Sequence, residues 1–316
     1  MPVSATANPT LHQVDAAHYR LREEVARGGV GRIVAAHDVR LDRDVALKML
    51  HDPKSDSSRF MREALLTARL QHPSIIPVHE IGLFPTGEPF IAMKLVRGQS
   101  LRQAIRAAKT LEERLQLLPN VLAVTDAIAY AHSQRVIHRD LKPSNVLLGA
   151  FGETVVIDWG LAKHLDEADI ATTSDAAASP VVDATRTGAV LGTPAYMSPE
   201  QACGDEVDER ADVFALGAIL YELFSGAPPF EATSSTQVLA LARRGAFPSL
   251  AERVPNVPVE LATIIKRAMA LRIAERYRDA GQLAADLRRY HVGQVVAVGR
   301  DRGDDPPSRI KMTPFS

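Results

Sequence analysis

A single cysteine, Cys203, occurs in 316 residues. No disulfide framework can form within the chain and no cysteine-built metal site is suggested, so Cys203 reads as a small apolar residue at a helix end. A surplus of charge is also missing. Lys and Arg number 37 against 38 Asp and Glu, a formal net charge of -1. No overall basic field draws nucleic acid or an anionic membrane. Long apolar runs are absent: a membrane span needs about 18 residues or more, and the best candidate, VFALGAILYELF at 213–224, is shorter and reads as a buried helix. The opening MPVSATANPTLHQ lacks a basic segment followed by an apolar one, so it is not a secretory signal. The histidines show no H-x-x-x-H spacing, which argues against a zinc site. No internal repeat is found. These absences point to a cytoplasmic protein, with a membrane entering only through a segment beyond this chain.

What is present is ordinary globular material, 46% hydrophobic and 24% charged. Residues 1–18 are polar, with Pro2 and Pro9, and read as a flexible leader. Short β-rich runs follow at 31–36, 44–50, 75–82 and 89–95. One helical pattern interrupts them, SRFMREALLTARL at 58–70, where Phe60, Met61, Ala64, Leu65 and Ala68 mix spacings of three and four. Ser55, Asp56, Ser57 and Ser58 before it are N-cap candidates. From Ser100 helices dominate, with a long amphipathic stretch at 111–134 and further candidates at 208–225, 235–244, 260–271 and 280–291. Two short β-like pieces fall at 145–148 and 154–157. Residues 164–186 are rich in Ala, Ser, Thr and Asp and are expected to be mobile. Residues 292–316 form a polar, Pro-containing tail expected to be disordered. A small β-rich part followed by a larger α-rich part leaves a cleft between them, a usual place for a ligand.

Three stretches carry chemistry. In VARGGVGRI, Gly28 and Gly31 sit three apart, but Ala26 stands where a G-x-G-x-x-G phosphate loop would open. Alone, that is weaker evidence than a glycine-rich hairpin turn. In VIHRDLKPSNVLL, Asp140, Lys142 and Asn145 must lie on a loop, because Pro143 breaks regular structure. In VVIDWGLAK, Asp158 follows a β-like run and precedes Gly160. A carboxylate with a side-chain amide supplies the hard oxygen ligands that Mg²⁺ shares with phosphate. A second carboxylate nearby can accept a proton from a hydroxyl. Upstream, Lys48 ends VALK on a strand and Glu63 lies in the one helix of the first part, where it can hold the lysine.

These motifs, in this order, resemble those of the protein kinases. The glycine loop, Val45-Ala46-Leu47-Lys48, Glu63, His138-Arg139-Asp140 with Asn145, Asp158-Trp159-Gly160, Ser198-Pro199-Glu200, Asp212 and Arg276 cover about 19–290. GTPAYMSPEQ and RFMREA are most similar to bacterial Ser/Thr kinases of the eukaryotic-like type. The resemblance implies an α+β, two-lobed kinase fold: an N-lobe over 19–96, a C-lobe over 97–291 and an ATP cleft between them. It implies that Lys48, oriented by Glu63, binds the α- and β-phosphates, and that Asn145 and Asp158 hold Mg²⁺, with Mn²⁺ as a substitute. Asp140 would take or orient the substrate hydroxyl, and Lys142 would neutralise γ-phosphate charge. Val25, Gly28, Gly29, Gly31, Ile33, Ala46, Met93, Lys94, Val96 and Leu147 would line the nucleotide site, with Met93 as gatekeeper and 94–96 as hinge. His138 would be structural, Asp212 would hold the catalytic loop, and Glu200 and Arg276 would pair beneath the large lobe.

Regulation is implied by the same likeness. Arg139 would receive a phosphate carried by the activation segment at 158–200, with Thr185 and Thr187 as autophosphorylation sites. Thr172, Thr173 and Ser174 read better as a solvated loop. Thr193 would form part of the substrate surface. The partners implied are proteins bearing Ser or Thr hydroxyls, and a homodimer for trans-autophosphorylation. Three departures stand out. Ala26 replaces a loop glycine, which would slow ATP binding without abolishing it. Trp159 replaces a usual Phe and remains a large apolar ring. Arg97 stands where an acid often meets ribose or substrate. A scaffold without turnover would have lost Lys48, Asp140 or Asp158, and all three are present. A small-molecule phosphotransferase would not need the Ser198-Pro199-Glu200 segment.

Overall fold

The computed structural model describes residues 11–28, 31–50, 57–166 and 194–293. The first part is a five-stranded antiparallel sheet in the order β1-β2-β3-β5-β4, built from β1 (Tyr19–Arg27), β2 (Gly31–Asp38), β3 (Arg43–Leu50), β4 (Val78–Leu83) and β5 (Pro89–Lys94). Period-2 alternation divides its residues between two faces. Val34, Ala36, Val45, Leu47, Met49, Phe90 and Ala92 form one core with Val14, Tyr19 and Phe84. Leu50 and Ile91, on the other face, pack with Phe60 and Ala64 of helix α1 (Ser57–Arg69). Ala26, Ile33, Lys48 and Ile91 lie in a row across four strands through the pairings Ala26↔Ile33, Ile33↔Lys48 and Lys48↔Ile91.

β1 is not marked by the sequence pattern. It is an edge strand with eight of its nine residues exposed, so no alternation between buried and solvated positions shows in YRLREEVAR. The β4 run begins at Val78 rather than Ile75. Ile75 makes only an isolated bridge to Val156 in the other lobe.

Gly31 is fixed by close approach and not by a turn. A Cβ there would lie 2.2 Å from the backbone oxygen of Met49, whereas one on Gly28 meets nothing nearer than Gly31 O at 3.8 Å. We therefore expect Gly31→Ala to destabilise the protein by about 1–3 kcal/mol, the usual cost of overpacking, and Gly28→Ala to leave the denaturant midpoint nearly unchanged. Equal midpoints for the two variants would contradict this.

The second part is helical. Helix α2 (Leu101–Ala107) follows the short β6 (Gly98–Ser100). The stretch expected as one helix over 111–134 is two, α3 (Leu111–Leu115) and α4 (Leu118–Ser133). Pro119 supplies the reason, since it sits in the first turn of α4, where its missing N–H is not needed. The strands β7 (Val136–Ile137), β8 (Val146–Gly149), β9 (Thr154–Val156) and β10 (Lys163–His164) make two small sheets, β6-β8-β9 and β10-β7. Asn145 belongs to a 3-10 turn, Pro143–Asn145, and not to the strand after it.

Then come α5 (Pro199–Cys203), α6 (Glu209–Ser225), α7 (Ser235–Arg244), α8 (Leu250–Arg253), α9 (Val259–Ala268) and α10 (Ala280–His291). Every residue from Ala211 to Phe224 on α6 is buried, and the helices around it form the large apolar cluster of this lobe. Such all-round burial marks a central helix and explains why its sequence has no polar stripe. The expected 260–271 helix ends earlier, at Ala268. Cys203 ends α5 and is exposed.

Candidate active site

The sheet and α1 bring Lys48 and Glu63 together. Phe60, Ala64 and Thr67, one buried stripe at i, i+4 and i+7, seat the helix, and Glu63 projects from its edge toward β3. Lys48 Nζ lies 2.5 Å from Glu63 Oε1 and 3.7 Å from Asp158 Oδ1. Burial alone would lower the Lys48 pKa, but the two carboxylates outweigh it and the net shift is upward. Burial pushes the Glu63 carboxyl up, against the opposing pull of Lys48. Asp158 moves the other way: burial is outweighed by Lys48, Lys142 and His138, which hold it below the ordinary carboxylate range. Gly160 stands against this pair, since a Cβ there would be 3.2 Å from Glu63 Oε2.

Below the sheet, the loop after β7 is gripped from within the lobe. Asp212, in the first turn of α6, accepts from His138 N at 2.8 Å and Arg139 N at 2.9 Å. It also accepts from His132 Nε2 at 3.1 Å, while His132 Nδ1 accepts from Ala280 N. Burial would raise the Asp212 pKa, but these donors outweigh it and lower it. Arg139 has φ 67° and Asp158 φ 63°, both in the left-handed region that side chains avoid. Such strain persists where surrounding bonds over-determine the backbone.

The loop delivers Asp140, whose Oδ2 lies 2.6 Å from Lys142 Nζ. Asn145 Nδ2 donates to Asp140 O at 3.0 Å and to Asp140 Oδ2 at 3.2 Å. With its NH₂ so engaged, Asn145 keeps its amide oxygen to accept. Ile157 N donates to Asn145 O at 2.9 Å, which ties Asn145 to the residue before Asp158. An amide oxygen and an ionised carboxylate form a donor set that fits a hard divalent cation. Among the described residues no group of three or more His, Cys, Asp or Glu could hold a metal, so a cation here would complete its shell with phosphate oxygens or water.

The remaining expected residues fall as follows. Ala26 is in register with Ile33, and Val25, half-exposed, occupies an irregularity of β1 beside it. Ala46 pairs with Met93 across β3 and β5, and Leu147 lies on β8 opposite Val155. Lys94 ends β5, and Val96 is half-buried against the large apolar cluster. Trp159 is buried in that cluster, its ring 4.6 Å from that of His138, where Leu66 and Leu70 of the α1 region also pack. Glu200 and Arg276 meet through two bonds of 2.6 and 2.9 Å. Arg97 points away from any ribose-side acid role: its Nη2 is 2.6 Å from Asp44 Oδ2, and Asp44 also meets Arg22. Gly29, Thr172, Thr173, Ser174, Thr185, Thr187 and Thr193, like the N-cap candidates Ser55 and Asp56, lie outside the described residues.

Two residues of this arrangement escaped the sequence reading. His132 shares a buried stripe of α4 with Val121, Thr125 and Ile128, and a polar ring on such a stripe demands a partner. That signal was available. Gln201 gave none, because its partner is 62 positions away.

An antiparallel sheet over a helical lobe, with a lysine–glutamate pair facing two carboxylates across the join, defines a two-lobed enzyme of the kinase fold. The comparisons agree. The family model described as protein kinase domain matches residues 19–284. Serine/threonine-protein kinase PknB of Mycobacterium leprae is 36% identical over 284 residues, covering 87% of this chain and 43% of that protein. Serine/threonine-protein kinase PknD of Protochlamydia amoebophila is 32% identical over 297 residues, 87% of this chain and 30% of the relative. A probable serine/threonine-protein kinase of Corynebacterium efficiens is 34% identical over 325 residues, 95% and 46% respectively. The chain belongs to the protein kinase family, whose members use ATP and a divalent metal. It spans less than half the length of these curated relatives. No helix among the described residues is long and apolar enough to cross a membrane.

Proposed function

We propose that this chain transfers the γ-phosphoryl group of ATP to Ser and Thr hydroxyls of protein substrates. The observation that carries this reading is the intact set of charged and polar groups on both sides of one cleft: Lys48 with Glu63 above, and Asp158, Asp140, Lys142 and Asn145 below. Lys48, held by Glu63, binds the α- and β-phosphates. Asn145 and Asp158 hold Mg²⁺, or Mn²⁺ in its place, which when bound neutralises charge on the phosphate oxygens. Asp140 orients the attacking hydroxyl and accepts its proton, and Lys142, beside that carboxylate, neutralises charge on the γ-phosphate. Positioning and charge neutralisation supply most of the catalysis, because little covalent chemistry is asked of the protein. Ile33 and Ala46 above and Leu147 below sandwich the adenine, whose edge bonds the backbone of 94–96.

The domain reading that goes with this is an N-lobe over 19–96 and a C-lobe over 97–291. Incubation with ATP and Mg²⁺ beside a Ser/Thr peptide mixture, followed by phosphoamino-acid analysis, tests the function. Phosphoserine and phosphothreonine are expected, and phosphotyrosine alone would overturn it. The curated relatives named as serine/threonine kinases support the specificity.

Thr185 and Thr187 are the proposed autophosphorylation sites, modified in trans within a homodimer. Their phosphates would engage Arg139 by charge-assisted bonds. The double substitution Thr185→Ala and Thr187→Ala should lower activity by about tenfold, the worth of one such bond. Undiminished activity in the double variant, measured on a peptide substrate, removes the two sites from the account.

A further inference from the structure

Arg139 precedes the candidate base and has φ 67°. Its backbone is held on three sides. Its N–H donates to Asp212, and the next amide, Asp140 N, donates to His138 Nδ1 at 3.2 Å. Its carbonyl oxygen accepts from Gln201 Nε2 at 2.5 Å. A carbonyl can only accept, so the group facing it must be the NH₂ of Gln201 and not its oxygen.

Gln201 is itself rigidly placed. It lies on α5, whose N-cap Ser198 is fully buried and accepts from Gln201 N. The preceding residue, Glu200, is clamped by the buried guanidinium of Arg276. The helix closes the segment that begins at Asp158.

From this geometry we infer that Gln201 is a positioning residue for Asp140, fixing the peptide between Arg139 and Asp140 through its amide. The left-handed backbone at Arg139 is disfavoured against the right-handed alternative and has to be held in place. The peptide plane that follows it is anchored at both ends, through its N–H to His138 Nδ1 and through its oxygen to Gln201, the anchor that comes from outside the loop and α6. Gln201 holds that oxygen from the far end of the activation segment, so the position of α5 sets the aim of the Asp140 carboxylate. A shift of the segment's end is thereby felt at the base without contact to ATP. The inference rests on the phosphotransfer reading above.

The test compares the parent with Gln201→Leu, which keeps the bulk and loses the donor, and with Gln201→Glu, which faces the carbonyl with an acceptor. Three quantities are read on each: kcat and KM for ATP with a peptide substrate, the melting temperature, and amide hydrogen exchange over 136–145. We expect kcat to fall about tenfold, the upper range for one neutral hydrogen bond, with KM for ATP unchanged. The melting temperature should stay near the parent's, and exchange at 139–141 should quicken. If Gln201→Leu does not fold, Gln201→Glu carries the comparison. A parent-like kcat, or a kcat loss matched by a falling melting temperature with unchanged exchange, overturns the positioning role. A parent that transfers no phosphate overturns the phosphotransfer reading and the role together, and so differs from failure of the inference alone.

Discussion

Asp140→Asn is expected to cut kcat for peptide phosphorylation by about 10²–10⁴-fold, the usual contribution of a positioned general base. The substitution removes the proton acceptor and leaves the shape. The new amide would still lie between Lys142 and Asn145, and Asp212 would still hold the loop through the amides of His138 and Arg139. ATP binding should therefore survive, because Lys48, Glu63 and Asp158 stand on other elements. Steady-state kinetics with nucleotide-dependent thermal shift separates the two effects. A variant within a few-fold of the parent rate would remove Asp140 from the base role, and one that loses ATP binding would make it a nucleotide ligand instead.

The second large effect is on stability. Arg276→Met is expected to cost about 3–5 kcal/mol, the range seen when one partner of a buried ion pair is removed. The Arg276 side chain is fully buried and Glu200 nearly so. Arg276 also donates to the carbonyls of Ala270 and Arg210 and stacks at 5.0 Å over Phe214. Methionine fills the volume but leaves a buried carboxylate and two carbonyls without their donors. Pairing it with Glu200→Gln removes the orphan charge, so the double variant should be less unstable than the sum of the single ones. Chemical denaturation of the four proteins measures this. A loss below about 1 kcal/mol for Arg276→Met would fit a solvated surface pair and contradict the burial described.

Legibility in the sequence followed the range of the interactions. Helices α7 and α10 were readable to their end residues, because Ser234 and Asp279 cap them locally and an apolar stripe follows each. Lys48, Asp140 and Asp158 were readable because their chemistry is tied to short strings, VALK, HRD and DWG. Glu63 was readable because one helix punctuates the β-rich part. β1 was not, since an exposed edge strand carries no alternation. The break inside 111–134 did carry a signal, Pro119, which sits in the first turn of α4. The reason for Gly31 lay in the backbone of Met49, and the fate of Arg97 lay in Asp44. Gln201 shows the limit most clearly: a lone glutamine after Ser198-Pro199-Glu200 says nothing until the fold sets it against Arg139.

Phosphoryl transfer by the chain itself is the central claim, and intact mass reads it directly. Parent and Asp140→Asn proteins, both dephosphorylated beforehand, are incubated with ATP and Mg²⁺ and weighed. The account predicts that the parent alone gains one or more phosphoryl groups, with peptide mapping leading to Thr185 and Thr187. Equal gains in both proteins would mean that Asp140 is not needed or that another kinase is present. No gain in either, with ATP binding intact, would contradict the enzyme and leave a nucleotide-binding scaffold.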